Sequence, residues 1–317
     1  MTRMGLAVGC IIAAIGAAGL EAAASDDWSW AFPRGIPAVP DTPDTVKPYG
    51  LPGSTRHFTE AELHDLGRAV DWFPDEHPAM PAPAAMGHGA AKACSFCHLP
   101  SGDGRPENSP LAGLSADYIE RQVAAFADGS RQSAIPGAAA GRLMTVTAKA
   151  APAAEVAEAA AYYSKLPFTP HVAVVETREI AHPRPYRFAY VLDAGPKEPI
   201  GERIVEVPAD AERFELRDPH IGYTAYVPEG SLARGKALVE SGGASAQPCE
   251  ACHGRGLQGD MAPPLAGRFP TSIIRQLMAF KAGTRSNPEA SPMRAIATDL
   301  STADMIALAA YAGSLKP

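Results

Sequence analysis

Two cysteines two residues apart, with a histidine directly after the second, occur twice: Cys94-Ser-Phe-Cys97-His98 and Cys249-Glu-Ala-Cys252-His253. Three chemistries use such clusters. Four thiolates close a tetrahedral zinc site. A C-x-x-C dithiol exchanges electrons with disulfides. C-x-x-C-H attaches haem c: both thiols bond to the haem vinyl groups and the adjacent histidine reaches the iron. Structural zinc pairs lie closer together than the 155 residues that separate these two, and zinc leaves both histidines unused. Redox dithiols sit beside a βαβ pattern, and none is visible here. Haem uses every residue of each cluster.

The cysteine inventory agrees. The chain holds five, and the fifth, Cys10, lies in a segment of another kind. Arg3 is followed by the apolar run Leu6 to Leu20 and by Ala22-Ala23-Ala24 before Ser25, the layout of a secretory signal over residues 1–24. The run is shorter than the roughly 20 residues of a membrane span. It also continues past Cys10, whereas a lipid-acceptor cysteine ends such a run. The expectation is a periplasmic chain, with no membrane span in the mature part and any membrane association made through a partner. Export leaves the four cysteines of the two clusters. The net charge is −7, and removal of Arg3 and Glu21 leaves it unchanged. An acidic chain is poorly suited to nucleic acid; its field steers basic protein partners instead.

Residues downstream of each cluster repeat. "LAGLSADYIERQVAAFADG" (111–129) lies over "LAGRFPTSIIRQLMAFKAG" (265–283) at a constant offset of 154. The copies diverge in a loop, then rejoin at "LMTVTA" and "PMRAIA". Met144 precedes Leu166, and Met293 precedes Leu315, by 22 residues in each case. Both copies close on a helix, "PAAEVAEAAAYYSKL" and "STADMIALAAYAGSL", the latter with a Ser301/Asp304 cap. This is a duplicated unit.

Outside the repeat, residues 25–85 form a proline-rich extension with one helix expected over "TEAELHDLGRAVDWF", capped by Thr59 and Glu62. Residues 169–229 alternate apolar and polar in "YRFAYVL", "ERIVEVP", "ERFELRD" and "YTAYV", which predicts short strands. The expected fold is mainly α: two helical domains, 86–168 and 230–317, joined by a small β-rich connection, 169–229, packed between or against them.

Each repeat resembles a class I cytochrome c domain, and the pair resembles a dihaem cytochrome of the cytochrome c4 type, over more than half of the chain. The resemblance implies two covalent haem c groups, on Cys94 and Cys97 and on Cys249 and Cys252. It implies His98 and His253 as iron ligands, with Met144 and Met293, in a loop before the last helix, as their opposite ligands; Met86 and His88, just upstream of the first cluster, are the rivals to Met144. It implies that Pro110 and Pro264, each ahead of a leucine, accept the histidine's other N–H, which fixes ring and tautomer. In this family the helix "SLARGKALVESGG" packs through Gly235 across the last helix near Tyr311. The first copy lacks that helix, and residues 59–73 are expected to replace it; it also lacks the glycine after His98. Arg121 and Arg275, alike in both copies, are candidate partners of haem propionates, with a solvated helix face as the alternative.

The cluster "DEHPAMPAPAAMGHG", with His77, Met80, Met86 and His88, contains copper-compatible side chains. Its prolines favour an extended strap on the first haem domain. The function implied is electron transfer between periplasmic or membrane-bound redox partners with basic docking surfaces, as a carrier or as the cytochrome subunit of a dehydrogenase or oxidase chain, not enzymatic catalysis. The alternative is a dihaem peroxidase with one haem open to substrate. A methionine at the equivalent place in both copies argues against that. A low aromatic content, 7%, suits small domains whose core includes a flat macrocycle.

Overall fold

The structure, a computed structural model, describes residues 27–34, 44–243 and 247–317; the segment expected as a signal peptide lies outside them. In the extension, β1 (Pro48–Gly50) pairs antiparallel with β2 (His57–Thr59). Helix α1 (Glu60–His64) starts from a capping box in which the Thr59 hydroxyl accepts the Glu62 N–H and the Glu62 carboxylate accepts the Thr59 N–H. The helix ends at His64, short of the expected Phe73. The Asp65 carboxylate draws in the Gly67 N–H, and Ala69 N–H donates to Ala85 instead of continuing the helix. Trp72 explains the departure. Its ring is buried, 4.7 Å edge-on from Phe58, and its Nε1 donates to the Leu216 carbonyl at 2.6 Å. Burying a tryptophan is worth about 4–6 kcal/mol, several times the helix propensity of its neighbours.

The first repeat contains α2 (Ala82–Ala85), α3 (Cys94–His98), α4 (Ala116–Asp128), α5 (Ala139–Ala150) and α6 (Ala153–Tyr163). The Ser115 hydroxyl caps α4, and Gly129, at φ 84°, ends it. No long helix leads this repeat. The short α2 lies against α6, with Ala84 and Met80 in one cluster with Ala160 and Tyr163. The strap therefore fills that place, while the segment 59–73 packs elsewhere, with Phe96 and Leu216.

The connection holds β3 (Val172–Thr177), β4 (Glu179–Tyr186), β5 (Ala189–Pro199), β6 (Val205–Pro208), α7 (Ala211–Glu215) and β7 (Tyr223–Pro228). β7 is central, parallel to β3 and antiparallel to β6, while β4 and β5 pair antiparallel. "ERFELRD", expected as a strand, is the single helical turn α7. The Asp210 carboxylate caps it on the Arg213 N–H, and Arg217, at φ 57°, ends it. The cap three residues ahead outweighs an apolar spacing of two, and Phe214 is buried by either geometry.

The second repeat contains α8 (Ser231–Ser241), α9 (Glu250–His253), α10 (Pro270–Lys281), α11 (Ser291–Thr298) and α12 (Thr302–Ser314). The Ser301/Asp304 capping box starts α12. Helices α8 and α12 cross at Gly235, where an added Cβ would lie 2.1 Å from the Ala307 carbonyl oxygen and 2.6 Å from the Tyr311 Cβ. The core joins Ile274, Met278, Met305 and Ile306 to Ile204, Ala225 and Val227 of the connection. The sheet is thus part of the second repeat's interior. The connection also reaches the first repeat: Arg217, just after α7, donates to the Phe96 carbonyl and stacks on that ring, 3.7 Å from its centroid.

Candidate functional site

Helix α3 carries Cys94, Cys97 and His98 within one turn; Cys249 precedes α9, which carries Cys252 and His253. Positions i, i+3 and i+4 share a helix face, so each turn groups two thiols and an imidazole. The four cysteines are free thiols. Burial pushes Cys94 up to about 11, with Cys97 adding to it, and burial also raises Cys97 and Cys249. Thiols held protonated are poor redox dithiols. Among the described residues, no group of three or more His, Cys, Asp or Glu is arranged to hold a metal ion, so the two C-x-x-C pairs do not close one zinc site.

Each imidazole is fixed the same way. His98 Nδ1–H donates to the Ser109 carbonyl, and His253 Nδ1–H donates to the Pro263 carbonyl, both at 2.8 Å. The acceptors therefore lie one residue ahead of Pro110 and Pro264, which corrects the sequence expectation. The proline ring fixes φ just after each acceptor carbonyl. Burial lowers both histidines, leaving neutral rings whose Nε2 lone pairs have no hydrogen-bond partner among the described residues.

The loops that bring these carbonyls round need left-handed backbone at the same places. Leu99 (φ 63°, ψ 155°) corresponds to Gly254 (φ 73°, ψ 164°), and Gly102 (φ 74°) corresponds to Leu257 (φ 57°). The copies have exchanged leucine and glycine between two strained positions. The missing glycine after His98 changes the residue but not the conformation. Both leucines are buried, which offsets strain of about 1–3 kcal/mol at a position that glycine would normally occupy.

Met144 lies on α5 and Met293 on α11, helices rather than the loops expected. Cys94, Cys97, His98 and Met144 of the first repeat, and His253 and Met293 of the second, line one continuous cavity of about 490 Å³. Leu114, Ile119, Val123 and Phe126 make much of its wall apolar. Cys249 and Cys252 do not line it. Two imidazoles, two thioethers and paired thiols at an apolar cavity fit a tetrapyrrole carrying iron, and the thioether–imidazole set matches haem ligation.

The two repeats also hold each other. Arg268, 6% exposed in the second repeat, donates to the carbonyls of Pro110 (2.9 Å) and Ala112 (3.0 Å). The Ser272 and Ser109 hydroxyls bond at 2.8 Å. The loop that positions His98 is thus clamped by the other repeat.

Arg121 and Arg275 are not equivalent. Arg121 also lines the cavity, but from an exposed helix position where it is paired with Asp117 and with Glu289 at 3.9 Å. Arg275 donates to the carbonyls of Ala31 and Pro106 from the cavity wall. Sequence reasoning passed over a more symmetrical pair: Arg131 and Arg285, together with Gln122 and Gln276, lie 154 residues apart and meet across the repeats. Their common offset was the signal that could have found them. The copper-compatible residues do not gather. His77 bonds Asp71, His88 pairs with Glu155, and Met86 is exposed.

No known family profile matches the chain. Solved structures similar to it include cytochromes. Cytochrome c4 from Pseudomonas stutzeri is 22% identical, with 70% of this chain and 93% of that chain covered and a TM-score of 0.46. Cytochrome c4 from Acidithiobacillus ferrooxidans is 26% identical, with 70% and 98% covered and a TM-score of 0.45. A thiosulfate dehydrogenase (TsdBA) structure from Marichromatium purpuratum is 26% identical, with 71% of this chain but only 37% of that chain covered and a TM-score of 0.46. Among curated proteins, the chain is similar to the thiosulfate dehydrogenase electron acceptor of Thiomonas intermedia (strain K12). That match is 28% identical over 237 residues, 74% of this chain and 83% of that protein. Among the described residues, no helix is long and apolar enough to cross a membrane.

Proposed function

We propose that the chain is an exported dihaem c-type cytochrome, built from two tandem class I domains, that carries electrons between periplasmic or membrane-bound redox partners. The observation that carries this reading is the convergence of six residues from the two C-x-x-C-H/Met sets on one cavity, with both imidazoles held through Nδ1. Cys94 and Cys97, and Cys249 and Cys252, would form the thioether attachments. His98 and His253 would offer Nε2, and Met144 and Met293 their thioethers, to hold the irons. Haem held by these imidazoles and thioethers would supply reversible one-electron transfer. The Ser109 and Pro263 carbonyls hold the rings in one tautomer, which keeps the ligand field constant as the charge changes.

More narrowly, the donor is a thiosulfate-oxidising dehydrogenase, supported by the name of the curated relative. The acidic chain suits a donor with a basic docking face. The test mixes the oxidised protein with thiosulfate, with and without a thiosulfate dehydrogenase, and follows haem absorbance. Reduction only with the enzyme present is expected. Reduction by thiosulfate alone would make the chain itself the oxidant of thiosulfate. No reduction in either mixture would remove this donor.

A further inference from the structure

A cation from the connection lies against the first C-x-x-C-H turn without an anion of its own. Arg217 follows α7 and is held at φ 57°. Its Nη1 donates to the Phe96 carbonyl at 2.9 Å, and its guanidinium carbon lies 3.7 Å from the centre of the Phe96 ring. The charges around it pair off. Arg105 meets Glu107 at 3.2 Å, Arg187 meets Glu215, and Arg213 meets Asp218 at 2.5 Å. Among the described residues, no acidic oxygen lies within 4.0 Å of Arg217, and its Nε is buried without a partner. Burial, with Arg105 adding to it, pushes Arg217 down to about 10, as expected of a charge with little compensation. Of the charged groups around Cys97, Arg217 acts on its sulfur most strongly, ahead of Glu107 and Arg105.

The second turn is built in the opposite sense. Ser95 and Phe96, between the first pair of cysteines, are buried, and Phe58, Val70, Trp72 and Leu216 of the extension and connection pack in one cluster with Phe96. Between the second pair stand Ala251, which is exposed, and Glu250, whose carboxylate accepts the Gly256 N–H at 2.8 Å. The loops that follow differ in the same way. Arg105 and Pro106 are buried, whereas Met261 is 78% exposed. A fixed cation favours the reduced state of a group that gains an electron beside it, and does so more strongly where water is excluded and salt does not screen it. Burial and a cation act together at the first turn; exposure and a carboxylate act against them at the second.

We propose that Arg217 is the fixed charge that raises the affinity of the first haem for an electron and leaves that of the second unchanged. The inference rests on the dihaem reading. The connection, whose sheet belongs to the second repeat's core, thereby sets the affinity of the first haem. One electron arrives from the redox partner, no bond forms or breaks, and Arg217 keeps its proton throughout. Guanidinium suits the place because it stacks flat on Phe96 while it donates to the carbonyl of the same residue.

The test uses the loaded full-length protein with Arg217→Gln, Arg217→Lys and Glu107→Gln. Covalent haem is counted by pyridine haemochrome, and both midpoint potentials are read by spectroelectrochemical titration. Met293→His in the parent marks the couple of the second haem. Arg217→Gln keeps a donor for the Phe96 carbonyl and removes the charge. It should retain two haems and the iron–methionine charge-transfer band, and should weaken reduction of the first haem roughly tenfold, about 59 mV for a one-electron couple. The second couple should stay within about twofold of the parent. Arg217→Lys, which keeps the charge, should stay within about twofold at both. Glu107→Gln leaves Arg105 unpaired and adds to the positive excess, so it should favour reduction of the first haem by roughly threefold or more. An unmoved first couple in Arg217→Gln, an equal shift of both couples, or a lysine shift as large as the glutamine one would overturn the proposal. If Arg217→Gln loses haem, Glu107→Gln decides: a first couple that stays or falls there overturns the proposal. A parent protein with fewer than two haems would instead refute the dihaem reading.

Discussion

Arg268→Met separates the two repeats energetically. Arg268 belongs to the second repeat, but its hydrogen bonds hold Pro110 and Ala112 beside Ser109, whose carbonyl fixes His98. Methionine keeps the length and apolar stem and removes the donors. Two hydrogen bonds from a charged donor are worth about 3–6 kcal/mol together. The contact with Phe168, 4.6 Å from guanidinium carbon to ring centroid, adds about 1 kcal/mol. Against this, the variant no longer buries a cation, which burial already pushes down to about 10. The net expectation is a loss of about 2–4 kcal/mol. Urea unfolding followed by circular dichroism measures that loss. On the proposed dihaem His/Met ligation, the iron–methionine charge-transfer band and the two potentials would report where it falls. The first haem should change and the second should stay. An unchanged unfolding midpoint, or a change at the second haem only, would refute the clamp.

Gly235→Ala should destabilise the second repeat by about 1–3 kcal/mol through overpacking of α8 on α12. Gly195→Ala, with nothing within 4 Å of its added Cβ, should be neutral, and parallel urea titrations compare the two. Gly254→Ala places a Cβ 2.6 Å from the Gly259 carbonyl oxygen at φ 73°; loss of the second haem, counted by pyridine haemochrome, is expected. Leu99→Gly exchanges strain relief for lost burial and should change stability by no more than about 1 kcal/mol in the same titration. Glu206 is buried, and burial raises its carboxyl from 4.5 to about 7, against the Thr271 hydrogen bonds. The folded chain then binds more protons than the unfolded chain between those values. Stability should therefore fall by about 3 kcal/mol as pH rises from 4.5 to 7. Glu206→Gln should remove that slope in urea titrations across the range.

The residues that gather at the cavity could be picked out as candidates because C-x-x-C-H fixes their types and short spacings. Duplication made the two methionines visible, since their equal distance from the last helix needs no structure. Their placement on helices was not legible, because "GAAAGRLM" contains glycines that read as loop, yet Ala139–Ala150 is helical. The acceptor carbonyls were missed by one residue, since a backbone oxygen carries no side-chain signal. The turn at Ala211–Glu215 defeated a period-two pattern because one capping aspartate and Arg217 at positive φ decide it locally. The helix ending at His64 was set by a contact 144 residues away, Trp72 to Leu216, which no local window contains. The Arg131/Arg285 pair carried a signal in its common offset, but its contacts across the repeats did not. Its partners are adjacent only once the repeats cross.

Haem stoichiometry tests the central proposal most directly. Intact mass and a pyridine haemochrome assay on protein exported by cells able to attach haem c should give two covalent haems per chain. The pair of substitutions Cys249→Ala and Cys252→Ala should leave one. A parent chain that carries bound zinc, a disulfide within each C-x-x-C pair, or fewer than two haems would contradict the proposal.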